Sequence, residues 1–167
     1  GARSMSRPDP LPHLAAVAAA MRDKDQPAAC FKALETALCA AIGAKLFTIL
    51  LKHSDGAAER YWTNRAEYPV GGRKPPNNTV WAQRLMVEQV CYRANDYDGI
   101  KAAFFDHELI RSLGCESVLN IPVAWKGETL GTINLLHQAG WYKESDEALG
   151  ITFAGLAVPA YLLLTRS

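Results

Sequence analysis

The reading of the fold turns on one stretch, Asp106-His-Glu-Leu-Ile-Arg-Ser-Leu-Gly-Cys-Glu-Ser-Val-Leu-Asn-Ile-Pro-Val123, followed by Gly127 and then Leu130-Gly-Thr-Ile-Asn-Leu135. Two apolar runs, Ser117–Trp125 and Thr129–His137, are rich in β-branched residues and are joined across Lys126-Gly127-Glu128. Glycine at so short a connection predicts a β-hairpin. The segment before it, Ile100–Leu113, has helical spacing, divides near Asp106 and stops at Gly114. A last helix follows over about 144–164, starting near Ser145 or Asp146 and kinked or shortened by Pro159.

Working outward, 11–22 and 27–42 read as helices. The first carries Leu14, Val17, Ala18 and Met21 on one face, and the second carries Phe31, Leu34, Leu38 and Ile42 up to Gly43. The period then changes. Lys45–Leu51 is apolar on both faces, as in a central strand, and Glu59–Asn64 is its hairpin partner. Thr79–Met86 reads as a short helix, Gln89–Arg93 as a short strand and Asn95–Gly99 as a turn. The Gly and Pro content of 65–78 excludes regular structure there, and a long irregular segment in a compact domain is often functional. Hairpins at both ends imply an antiparallel sheet with segregated helices, hence an α+β domain.

In its order and spacing, this pattern resembles the signature half of a GAF domain: a helix ending in Gly, a Ser-containing strand finishing Ile-Pro-Val, a Gly turn and a second strand opening with Gly. Tyr142-x3-Asp146-Glu147 at the last helix fits as well, and the looser resemblance extends over about 11–165. It implies a central antiparallel sheet of five to six strands, with terminal helices on one face that commonly form a homodimer bundle. Ligand-pocket loops and short helices would close the other face over a small molecule. It also implies a sensory, non-catalytic module that signals through a dimer or an output protein.

Known ligands of the family can be weighed against the residues. His137-Gln138 stands where cyclic-nucleotide binders resemble one another in Asn-Lys, which disfavours a cyclic nucleotide. No Cys-His dipeptide is present, which disfavours a covalent bilin. The ligand and any cofactor therefore stay unassigned. A GAF-type enzyme, the free methionine sulfoxide reductase, is the alternative, with Cys115 or Cys91 as redox thiol. Here Cys115 is only two residues before Ser117 and Thr79–Met86 holds no Cys.

Candidate ligand-binding residues follow from chemistry. Arg73, in Tyr68-Pro-Val-Gly-Gly-Arg-Lys74, offers a planar fork for a carboxylate or phosphate beside glycines that allow close backbone approach. Trp62, Tyr68, Trp81 and Phe105 are aromatic walls for a pocket, or else core packing. His107 is a tunable acid or base, unless Asp106 simply caps the next turn and His107 faces solvent. Asn120 and Asn134 are amides inside apolar strands. They either bond each other and nearby backbone, or face a ligand.

Composition bounds the rest. A chain of 167 residues is long enough for one domain that buries roughly 69% of its unfolded surface. Lys+Arg 18 against Asp+Glu 17 lacks the charge footprint of a general nucleic-acid binder. Four scattered cysteines fit reduced thiols in a cytoplasmic protein. The longest apolar run, near Leu156–Leu164, is broken by Pro159 and is too short for a membrane span. The histidines and cysteines show no zinc-ligand spacing. Gly1–Ser4 read as an expression remnant and 1–10 as a disordered leader, with no room left in the chain for an effector domain.

Overall fold

The computed structural model describes residues 6–165; the remnant reading of Gly1–Ser4 lies outside them. Six antiparallel strands form one sheet in the order β3-β2-β1-β6-β5-β4. They are β1 Leu46–Lys52, β2 Ala58–Thr63, β3 Arg73–Lys74, β4 Tyr92–Ala94, β5 Ser117–Trp125 and β6 Glu128–His137. The helices are α1 Leu11–Ala20, α2 Ala28–Ala41, α3 Val80–Ala82, α4 Tyr97–Ala103, α5 His107–Ser112 and α6 Glu144–Thr165. A π-helical segment, Gln83–Glu88, continues α3.

The α+β architecture expected from the sequence is the one observed. Strand alternation sends Phe47, Ile49 and Leu51 of β1, Leu119, Ile121 and Val123 of β5, and Ile133 and Leu135 of β6 into one core. That core is closed by Phe31, Leu34 and Leu38 of α2 and by Phe153, Ala157 and Tyr161 of α6. The opposite face carries a second cluster, in which Leu46, Val118 and Leu136 meet Tyr68, Leu85, Ile100 and Ile110 of the connecting segments. The β5–β6 connection is tighter than the three residues expected. Lys126 (φ 53°) and Gly127 (φ 76°) both take positive φ, the two-residue turn that matches the strand twist.

Several elements depart from the sequence reading. Residues 65–78 are not wholly irregular, because Arg73 and Lys74 pair with Glu59 and Ala58 as an edge strand. The turn expected over Asn95–Gly99 is a helix start: Asp96 accepts from the Gly99 amide at 3.0 Å. Pro159 neither shortens nor ends α6, which runs 22 residues. By length and composition this uninterrupted helix could cross a membrane, contrary to the reading of a run broken at Pro159. In the fold, its inner face is part of the core.

The leader reading also fails at Arg7. Its guanidinium grips the buried Asp146 carboxylate through two contacts of 3.0 Å, donates to the Trp141 carbonyl at 2.7 Å, and so ties the chain before α1 to the start of α6.

Candidate functional site

The sheet face away from α1, α2 and α6 carries a polar row. Tyr92, Asn120, Asn134 and Thr48 stand opposite one another across β4, β5, β6 and β1. Asn120 Nδ2 donates to Asn134 Oδ1 at 2.6 Å, the Thr132 hydroxyl donates to the same oxygen at 3.0 Å, and Asn134 Nδ2 donates to Thr48 Oγ1 at 3.1 Å. The remaining Asn120 oxygen accepts from the Trp81 indole N–H at 3.0 Å. Buried amides satisfied in this way fix the ring that they hold.

Trp81 is one wall of a cavity of about 350 Å³ between the sheet and the segment from Lys74 to Val87. Leu50 and Ala58 form its floor, Phe104 closes one side, and Ala82, Gln83, Met86 and Val87 line its cover. Trp81 and Phe104 meet edge to face at 6.4 Å. The cover has a defined start and stop: Thr79 Oγ1 accepts from the Ala82 amide, and Gln89 ends the π-helical segment in the left-handed region. Its inner side is anchored by buried Leu85, whose carbonyl accepts from Thr129 Oγ1 at 2.7 Å. π-Helical turns are rare and recur at functional sites.

A smaller cavity of about 30 Å³ adjoins it, sharing Leu50, Lys74 and Phe104, and reaches Arg60, Tyr68 and Asn134. Arg60 is buried in mid-strand, with its guanidinium stacked 3.5 Å from the Tyr68 ring centroid. Nη1 donates to the Pro69 carbonyl at 2.8 Å, and Nη2 lies 3.6 Å from Asp106 Oδ2. Among the described residues, Arg60 Nε and Asp106 Oδ1 are buried side-chain atoms without a hydrogen-bond partner. Burial pushes the Lys74 ammonium pKa down, and the Arg60 charge adds to this while Asp106 opposes it. Burial, then the Asp106 carboxylate, pushes the Tyr68 phenol up.

Four of the eight residues singled out in the sequence meet on this face: Tyr68, Trp81, Asn120 and Asn134. The amides take the first of their two readings, bonding each other, and they serve the cavity by holding Trp81. The other four lie elsewhere. Trp62 packs edge-on against Phe31 and donates to Glu35 at 2.9 Å on the helix side. The cause is a bulge: Ile49 pairs with Trp62 and Leu50 with Arg60, leaving Tyr61 as the extra residue. Tyr61 and Trp62 therefore both face Phe31, while Arg60 turns to the cavity.

Arg73 sits on β3, so neighbours point to opposite sides. It reaches Asp55 at 3.6 Å in solvent, and Lys74 faces inward. Phe105 is 78% exposed under the Lys74 ammonium, because extended backbone at Phe104 sends that ring, not its neighbour, into the cavity. His107 is half-buried rather than turned wholly to solvent. Its Nδ1 is 2.7 Å from the Tyr97 hydroxyl, and Asp106, far from capping α5, turns toward Arg60.

Burial raises the thiols of Cys30, Cys39 and Cys115 to about 11 and that of Cys91 to about 12. A thiolate is thus scarce at neutral pH, and none of the four lines either cavity. Among the described residues, no three His, Cys, Asp or Glu side chains cluster as metal ligands.

No family model and no curated protein matches the chain. Solved structures do. The GAF domain of an Acinetobacter phosphoenolpyruvate-protein phosphotransferase superimposes with TM-score 0.74 at 12% identity, covering 95% of this chain and 96% of that one. The GAF domain of a two-component sensor histidine kinase from Bacillus halodurans gives 0.65 at 14% identity over 80% and 92%. The chromophore-binding domain of a bacteriophytochrome from R. palustris gives 0.69 at 11% identity over 92% of this chain, which spans 60% of that fragment. The chain has a GAF-like fold.

Proposed function

We propose that this protein is a sensory module that binds a small molecule in the cavity beneath Trp81 and passes occupancy to a partner protein. The observation that carries the reading is the 350 Å³ cavity on the sheet face opposite the terminal helices. Its size falls within the range of small-molecule sites, and its walls are mainly apolar with a few placed polar groups. The same fold serves in a sensor histidine kinase and in a chromophore-binding domain, which supports a sensing role here. No catalysis is assigned. The cysteine-based redox alternative finds no support in thiols that are buried, held protonated and absent from the lining of either cavity.

In this reading the ligand favours a state in which the cover over 73–88 is closed on the sheet. The sheet is shared with α1, α2 and α6, through which a homodimer forms and an output protein is addressed.

Native mass spectrometry of freshly purified protein tests this. The expected result is a dimer of the 18.3 kDa chain carrying a non-covalent adduct. The adduct is lost in an Ala58→Trp variant of unchanged melting temperature. A chain without adduct, whose hydrogen exchange over 73–88 is unmoved by a metabolite extract, overturns the binding role; a monomer overturns the dimer.

A further inference from the structure

Every charged side chain lining the two cavities is a cation: Lys52 and Lys74 in the larger, Arg60 and Lys74 in the smaller. Lys52 is directed to Glu128 at 4.0 Å. The inner pair is different. Arg60 is buried with Nε unpartnered, and its contact to Asp106 at 3.6 Å is longer than a charge-assisted hydrogen bond. Two cations against one carboxylate leave the inner end with one uncompensated positive charge. A buried donor with no acceptor is costly, and an ionised one more so.

Resting on the sensory-pocket reading above, we infer that the ligand is an organic monocarboxylate with an aromatic or aliphatic body. Its carboxylate enters between Lys74 and Arg60 Nε, and its body lies against Trp81 and Phe104. The shapes agree with this. The inner cavity, about 30 Å³, holds about one water-sized group, which suits a carboxylate oxygen better than a bulkier tetrahedral phosphate. The outer cavity, apolar on the Leu50, Trp81, Met86 and Phe104 sides, takes the body. Lys74 lines both cavities and stands at the junction, where the head would pass from one to the other. Asp106 keeps Arg60 oriented, and its charge makes the site neutral with a monoanion but not with a dianion.

Calorimetric titration of the purified chain with phenylacetate, 3-phenylpropionate, octanoate and phenylacetamide, with inorganic phosphate as a further arm, tests the assignment. Carboxylates are expected to bind at least tenfold more tightly than the neutral amide, and phosphate is expected not to compete. Lys74→Met abolishes the preference for acid over amide at an unchanged melting temperature, by weakening acid binding far more than amide binding. Arg60→Gln does the same if it folds, and Lys74, less buried, decides the matter where it does not. Acid and amide binding alike, or a Lys74→Met variant that keeps the preference, overturns the carboxylate inference and leaves the pocket reading standing. Competition by phosphate also overturns it. Absence of binding by every probe, charged and neutral, together with no co-purified adduct, overturns both.

Discussion

His137, at the end of β6, lies flat on Trp141, with ring centroids 3.8 Å apart and planes 2° from parallel. Burial pushes its pKa down to about 4, and the positive charges of Lys45 and Arg7 add to the shift. A group whose folded pKa lies below its unfolded value of about 6.5 holds its full share of stability above that value. The share is lost as pH falls toward 4, because the unfolded chain takes up a proton that the folded ring refuses. With solvent screening on a half-exposed ring, the loss is about 1 kcal/mol. The expected outcome is that His137→Phe flattens the dependence of the urea midpoint on pH between 6.5 and 4 and changes it little at pH 8. An unchanged slope would show that His137 titrates normally. The same ring stands where cyclic-nucleotide binders resemble one another in asparagine, so this position supports packing in a pair of aromatic planes.

Gly131, on β6, shows how one element sets another. A β-carbon there would overlap the Leu50 carbonyl oxygen of β1 and stand 2.7 Å from the Tyr161 ring of α6, whose hydroxyl donates to the Thr132 carbonyl at 2.8 Å. Gly131→Ala must therefore push apart both the β1–β6 pairing and the α6 contact. The predicted cost is about 3 kcal/mol, read as a lower denaturant midpoint at unchanged m-value. A loss below about 0.5 kcal/mol would mean that the sheet and α6 yield easily. This glycine belongs to the motif from which the fold was legible, and the packing explains why: hairpin glycines, β-branched runs and helix stops are local signals. β3 was not legible because two residues at a sheet edge carry no period. The bulge at Tyr61 was not legible either, since an extra residue inverts which neighbours share a face without altering composition. These two features account for most of the misplacement at the site, exchanging Lys74 for Arg73 and Arg60 for Trp62. Asn120 and Asn134 were legible as costly buried amides; that they hold Trp81 was visible only once β5 and β6 were in register.

At the scale of the molecule, one sheet divides two kinds of interior. The helix side is a continuous apolar core under α1, α2 and α6. The other side is smaller, interrupted by cavities, and held by connecting segments whose regular elements are short. Stability follows packing, so the cover from Arg73 to Glu88 is expected to open well below the free energy of global unfolding. A ligand that binds only the closed form adds RT ln(1 + [L]/Kd), about 2.7 kcal/mol at one hundred times Kd. In a domain of this length that raises the melting temperature by about 5–10 °C. The gain should be uneven: amide exchange slows most over 73–88 and around Phe104, where cover and sheet must close together. It slows less in β1 and β6, already buried, and changes in α2 and α6 only as far as the shared sheet conveys it. Hydrogen exchange with and without saturating ligand reads this directly. Protection rising equally over the whole chain would mean that the cover is no separate unit, and that binding reports global stability rather than closure.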